Sequence, residues 1–250
     1  GIVFDPLIEF IRHHSADTDI FCFQEVFDTP TEKTAARDGA RANMFHELQA
    51  ILPEHVGNFA AAQEHYEYYH NIHGDSDWKI NYGLACFTKK DIPLSRYGEF
   101  FVFKERNSIH STVELNVPRN IQYFQWDQNG IPYTVMNFHG IWHPTIKKID
   151  YPDRIEQSQK IRAFMDTVQG EKILCCDFNL LPNTESLALL EKGMKNLIKE
   201  YGITSTRSKL YQKEHTFADY TLVTSGIHVA HFTVPIITVS DHLPMVLKFQ

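Results

Sequence analysis

The sequence predicts a mixed α/β fold. Three observations predict it: helical stretches with capping residues at their starts, short apolar runs of strand length, and polar residues at the ends of those runs. Asp5-Pro6 starts the first helix, a capping side chain followed by a proline whose fixed φ suits the first turn. Phe4, Leu7, Ile8 and Ile11 follow at helical spacing, so an amphipathic helix is expected over 5–15. Residues 19–24 (DIFCFQ) form an apolar run that reads as a buried strand, with Glu25 at its C-terminal end. A second helix is expected over about 41–52, with Met44, Phe45, Leu48, Ile51 and Leu52 on one side. The pattern then becomes β-rich, with strands expected at 82–88, 100–104, 121–127 and 132–138. Asp127-Gln128-Asn129-Gly130 supplies a hairpin turn between the last two. The polar, irregular stretches 63–81 and 104–118 read as loops. Pro152 opens a long helix that ends at Gly170, and 172–176 is another buried strand with Asp177 at its end. A helix over 184–190 and strands near 217–224, 227–234 and 243–249 complete the chain. No repeat, low-complexity tract or linker is visible, so residues 1–250 are expected to form one domain.

Composition narrows the classes. Hydrophobic residues make up 43% and charged residues 22%, enough for a substantial core. The formal net charge of −7, from 24 basic and 31 acidic residues, argues against tight non-specific binding of long duplexes, which needs a basic excess or stripe. No apolar run approaches the roughly 20 residues that span a bilayer. The cysteines are Cys22, Cys86, Cys175 and Cys176; three lie in apolar runs, and with no CxxC pair a structural zinc site is not expected. That usage reads as a reducing, cytoplasmic setting. Gly1-Ile2-Val3-Phe4 runs straight into a helix signal without an initiator Met or a secretory pattern, and reads as a start in mid-fold.

The polar residues that interrupt the apolar pattern sit at strand ends. Glu25 follows DIFCFQ, His139 follows YTVMNF, Asp177 and Asn179 follow KILCC, Asp219 begins DYTLV, and Asp241-His242 precedes LPMVLKF. Adjacent strands bring such ends together, so these sites are expected to converge in one cleft. An oxygen-rich set without thiolates suits Mg²⁺ or Mn²⁺, and Glu25 with Asp241 would suffice for one ion that polarises a phosphoryl oxygen. His242 held by Asp219 forms a suitable general base. Asp177 and Asn179 are placed to position the attacking water and the phosphate oxygens.

In order and spacing, the segments QEV (24–26), NFH (137–139), DFN (177–179), DYTLV (219–223) and SDHLP (240–244) resemble the signature of the endonuclease/exonuclease/phosphatase (DNase I-like) superfamily. The resemblance covers about residues 5–249. It implies a four-layer α/β/β/α sandwich with two mixed β-sheets, and metal-dependent hydrolysis of phosphoesters. It implies that Glu25 is a metal ligand, that Asp241 is a further or water-mediated ligand, and that Asn179 contacts the scissile phosphate. Asp177 would orient or deprotonate the nucleophile, with His242 as the base and Asp219 behind it. His139 matches a histidine of pancreatic deoxyribonuclease-like and sphingomyelinase-like members. Arg119-Asn120 fall where relatives place phosphate-contacting residues, and Asn137 and Trp142 are further candidate substrate contacts. Two features depart from the pattern. Relatives usually have a strand ending in a metal-site Asn just before the position of Gly1, and Cys176 stands where they usually have Gly.

The substrate is the least determined feature, because this superfamily's site cleaves DNA, RNA, phosphoinositides, sphingomyelin and protein–DNA adducts, and fold does not choose among them. A small or single-stranded phosphodiester acted on by a monomeric hydrolase or nuclease is the expectation. A silent phospholigand-binding module, a lipid hydrolase of sphingomyelinase or phosphoinositide phosphatase type, and a zinc hydrolase are the alternatives. His65, His70 and His73, with Tyr66, Tyr68 and Tyr69, read as a loop rimming the cleft, since their spacing fits no ligand pattern.

Overall fold

The computed structural model describes residues 4–29, 41–64, 80–109 and 117–250. The histidine- and tyrosine-rich run at 65–73 lies outside them, as do the centres of both expected loops. The five helices among the described residues are α1 (Phe4–His14), α2 (Met44–Ile51), α3 (Pro152–Thr167), α4 (Glu185–Glu191) and α5 (Leu197–Glu200). The strands are β1 (Ile20–Asp28), β2 (His55–Gln63), β3 (Asn81–Lys89), β4 (Leu94–Phe103), β5 (Arg119–Gln128), β6 (Ile131–His139), β7 (Glu171–Asp177), β8 (Met194–Asn196), β9 (Asp219–Thr224), β10 (Val229–Thr233) and β11 (Val246–Phe249). Each expected helix and strand is present, while β2, β8 and α5 are additions.

The strands form a six-stranded sheet in the order β4-β5-β6-β7-β9-β8, a three-stranded sheet β1-β3-β2, and a pair β10-β11. The six-stranded sheet is mixed, through its parallel β6–β7 pair. Among the described residues the other two pair antiparallel. Two apolar clusters define four layers. One joins α1 and α2 to the outer face of the three-stranded sheet through Leu7, Ile11, Met44, Leu48, Phe21 and Phe87. The other joins α3 and α4 to the six-stranded sheet through Ile161, Met165, Leu187, Leu190, Leu174 and Leu222. The two sheets pack face to face between these helices, giving the α/β/β/α sandwich.

Buried amides stitch the two sheets. Asn137 Nδ2 donates to Phe23 O at 3.1 Å, and its Oδ1 accepts from Gln24 Nε2 at 2.8 Å. Gln122 Nε2 donates to Asn58 O at 2.7 Å, and Asn120 Nδ2 donates to Ala60 O at 3.2 Å. These bonds satisfy polar groups that would otherwise cost about 1–3 kcal/mol each to bury. Asn120 and Asn137 thus bridge the two sheets.

The β5–β6 hairpin turns as expected. Gln128 pairs with Ile131, and Asn129 (φ 57°) and Gly130 (φ 79°) take the two left-handed positions of a tight turn. Among the described residues β1 pairs only with β3 and β11 only with β10, and both strands line a cavity of about 1570 Å³. No described helix is long and apolar enough to cross a membrane.

Candidate active site

Register places the site. Parallel pairing sets His139 beside Asp177, and antiparallel pairing sets Asp177 beside Asp219, so three neighbouring strands end in three polar side chains. The turns leaving β6 and β7 pass in close contact. Gly140 N donates to Asp177 O at 2.7 Å, and a Cβ on Gly140 would lie 2.0 Å from Phe178 O, so only glycine fits. A loop clamps the remaining pair in place. Leu243 N donates to Thr206 O at 2.9 Å and Ser208 N to Asp241 O at 3.0 Å, laying Asp241-His242 along Thr206–Ser208.

His242 Nδ1 bonds Asp219 Oδ1 at 2.8 Å, leaving Nε2 3.6 Å from Asp177 Oδ2. Asp219 is itself held, because Thr206 Oγ1 donates to its Oδ2 at 2.7 Å. Burial alone would lower the His242 pKa, but the carboxylates of Asp219 and Asp177 outweigh it and raise it to about 9, against a partial pull downward from Arg207. Arg207 Nη1 makes a very short contact with Nε2. A guanidinium can only donate, so that contact requires a lone pair on Nε2 and a proton on Nδ1 facing Asp219. The two influences oppose each other: the carboxylates favour imidazolium, and Arg207 favours the neutral tautomer that a general base needs.

His139 is nearly fully buried, and burial first, then the Arg119 guanidinium, hold its pKa well below the usual value. Arg119 Nη1 lies 2.9 Å from His139 Nδ1. Since Arg119 donates, the His139 proton sits on Nε2, which lies 3.8 Å from both Glu25 Oε1 and Asp177 Oδ2. Glu25 is not at a strand end. It sits in a bulge of β1, where the register shifts between Phe23 and Val26, at φ 55° and with a largely exposed side chain. Asn179 Nδ2 donates to Gly140 O at 3.2 Å and its backbone N to Asp177 Oδ1 at 2.8 Å, so it braces Asp177. Trp142 is half-exposed, with Lys213 Nζ 5.7 Å from its ring centre.

Sequence reasoning missed Arg207, Thr206 and Lys148. The Arg207 side chain is buried, its Nη1 donates to Asp241 Oδ2 at 2.9 Å, and it stacks on Tyr211 at 4.4 Å. Its Nε is buried without a hydrogen-bond partner. Lys148 Nζ donates to Phe217 O at 2.6 Å, and burial, then Arg207, lower its pKa to about 8. Their one sequence signal is position, in loops that precede β9 and follow β6.

Three residues around the site carry left-handed backbone: Glu25 (55°), Cys176 (106°) and Asn179 (54°). Such conformations cost about 1–3 kcal/mol each and cluster at functional sites. Asp177, Asp219 and His242 each offer a ligand atom within 4.8 Å of the others, and the exposed Glu25 carboxylate stands across His139 from them. This donor chemistry fits a hard divalent cation.

An α/β/β/α sandwich with carboxylates and two histidines converging at one end of its sheets defines the DNase I-like class. The chain belongs to the endonuclease/exonuclease/phosphatase family, whose sequence profile matches residues 3–242. Members of this family are hydrolases acting on phosphoesters. A mannosyl-6-phosphatase of Bacteroides thetaiotaomicron has a similar structure, with a TM-score of 0.69 at 17% identity over 98% of this chain and 90% of that one. A family protein of Leptotrichia buccalis gives a TM-score of 0.69 at 17% identity, over 98% and 93%. The catalytic domain of human Nocturnin, solved with sulfate, gives 0.61 at 16% identity, over 98% and 86%. No curated protein gives a match.

Proposed function

We propose that this chain hydrolyses phosphoesters with a divalent metal, His242 removing the proton from the attacking water. The observation that carries this reading is the 2.8 Å bond from His242 Nδ1 to Asp219, which leaves Nε2 in the cleft beside Asp177. In its neutral form His242 keeps its proton on Nδ1 and presents a lone pair at Nε2, and Asp177 shares the orientation of the water. His139, neutral and protonated at Nε2, donates to a phosphate oxygen. Arg207 leaves Nε2 for the phosphate anion, for which its planar fork is suited. Glu25 would hold Mg²⁺ or Mn²⁺ directly and Asp241, already engaged by Arg207, through water; the ion would supply Lewis acidity at a phosphate oxygen. The net charge of −7 favours a small or single-stranded phosphodiester over a long duplex.

A second reading rests on the Arg207 contact. With Arg207 seated on Nε2, the site holds a phosphorylated ligand without cleaving it. Hydrolysis of bis(p-nitrophenyl) phosphate over a range of Mg²⁺ concentrations, with wild type and Glu25→Gln, separates the two. The hydrolase reading expects Mg²⁺-dependent turnover and a raised Mg²⁺ requirement in E25Q. Inorganic phosphate binding that is lost in Arg207→Ala, with no turnover at any Mg²⁺ concentration, would establish the binding module instead.

A further inference from the structure

All four cysteines of the chain meet in one place, although they lie up to 154 positions apart in sequence, from Cys22 to Cys176. Cys22 on β1 is register-paired with Cys86 on β3, and their sulfurs are 3.5 Å apart. Across the sandwich, the sulfurs of Cys175 and Cys176 on β7 are 3.4 Å apart. Successive residues of a strand normally point to opposite faces. Here the φ of 106° at Cys176 breaks that alternation and brings the two vicinal thiols together. The sulfurs of Cys22, Cys175 and Cys176 all lie within 4.8 Å of one another. These three residues line the 1570 Å³ cavity. Cys86 stands behind Cys22, held by Asn137 Nδ2 at 3.3 Å from its sulfur.

We propose that Cys22, Cys175 and Cys176 form a binding site for a thiophilic d¹⁰ cation, with Zn²⁺ as its type, separate from the oxygen-rich site of the catalytic cleft. Zinc–thiolate bonds of about 2.3 Å place neighbouring sulfurs about 3.8 Å apart in a tetrahedron, close to the separations present. Three soft donors without a carboxylate select against Mg²⁺. Each ligand loses its thiol proton on binding, so uptake of one ion releases protons to solvent. A water on the cavity side completes the fourth position, with Cys86 behind Cys22 outside the ligand set. The site would clamp β1 to β7 directly beneath the cleft, since Cys22 lies three positions before Glu25 and Cys176 immediately precedes Asp177.

Titration of the anaerobically reduced protein with Cd²⁺ tests this, read by ultraviolet thiolate-to-metal charge-transfer absorption and by proton release. The expected result is a band that saturates at one ion per chain, survives excess Mg²⁺, raises the thermal midpoint, and is lost in Cys22→Ser and Cys175→Ser. Cys86→Ser retains it. The wild-type titration decides the matter even where a variant fails to fold. Absence of the band, a band unchanged in both serine variants, or displacement by Mg²⁺ would overturn the proposal. None of these outcomes depends on whether the protein hydrolyses a phosphoester.

Discussion

Asparagine at position 219 should disable His242 through the direction of one amide. Thr206 Oγ1 accepts from the backbone N–H groups of Ala218 at 3.2 Å and Asp219 at 3.3 Å, so its own proton goes to Asp219 Oδ2. In Asp219→Asn that hydroxyl still donates, and it draws the amide oxygen toward itself. The NH₂ group then faces His242 Nδ1, which must accept, and the imidazole proton moves to Nε2, where it meets Arg207. The variant thus carries the wrong tautomer for a base. Electrostatics adds to the loss: raising His242 from 6.5 to about 9 corresponds to about 3 kcal/mol in favour of the imidazolium formed during proton abstraction, and Asp219 is the largest favourable contributor. A comparable substitution in a Ser-His-Asp triad costs about 10⁴ in kcat, so a fall of about 10² to 10⁴ is expected here. The assay is steady-state hydrolysis of bis(p-nitrophenyl) phosphate with saturating Mg²⁺. The double variant D219N/T206A sharpens it. Without the Thr206 hydroxyl the amide can rotate its oxygen toward Nδ1, and roughly tenfold of the rate should return, a coupling of about 1.4 kcal/mol. A D219N rate within threefold of wild type, or a double variant no faster than D219N, would show that the amide's direction does not set the His242 tautomer.

Three further outcomes follow from the geometry. Both Cys176→Gly and Cys176→Ala remove the thiol, but only alanine keeps a Cβ at φ 106°, so the glycine variant should be more stable than the alanine variant by about 1–3 kcal/mol in denaturant unfolding. Since the His242 pKa is raised in the folded metal-free protein, its stabilising contribution is complete below pH 6.5 and lost as pH rises to about 9; wild type should lose about 2–3 kcal/mol relative to His242→Asn across that window, and a constant difference would contradict the assignment. Asn137→Ala should cost on the order of 2–4 kcal/mol of stability by stranding Gln24 and Gln122, while kcat measured well below the melting transition changes little; an effect confined to KM would return Asn137 to substrate binding.

Local signals made much of this molecule legible in its sequence. The rings of Pro6 and Pro152 hold φ near the helical value, Asn129 and Gly130 tolerate the positive φ of a tight turn, and the helices and hairpin they mark are present. The strand-end residues His139, Asp177 and Asp219 were legible because register in a sheet turns sequence position into spatial neighbourhood. Strand β2 was not legible. HVGNFAAAQ is rich in alanine and contains Gly57, with little intrinsic strand preference, and it is ordered by pairing with β3. Asn137 shares a face of β6 with His139, yet a separation of two residues, about 6.6 Å, takes it from the end of the strand into the space between the sheets, where it bonds β1. Arg207 carries no motif, and only the pairing of its loop with Asp241 and His242 makes it part of the site.

In the proposed mechanism His242 activates water for attack on phosphorus. The direct measurement is Mg²⁺-dependent hydrolysis of an aryl phosphodiester by wild type and by His242→Ala, with folding of both verified by circular dichroism. Turnover should require the metal and fall by about 10² or more in the variant. Equal metal-dependent rates in the two proteins would contradict it.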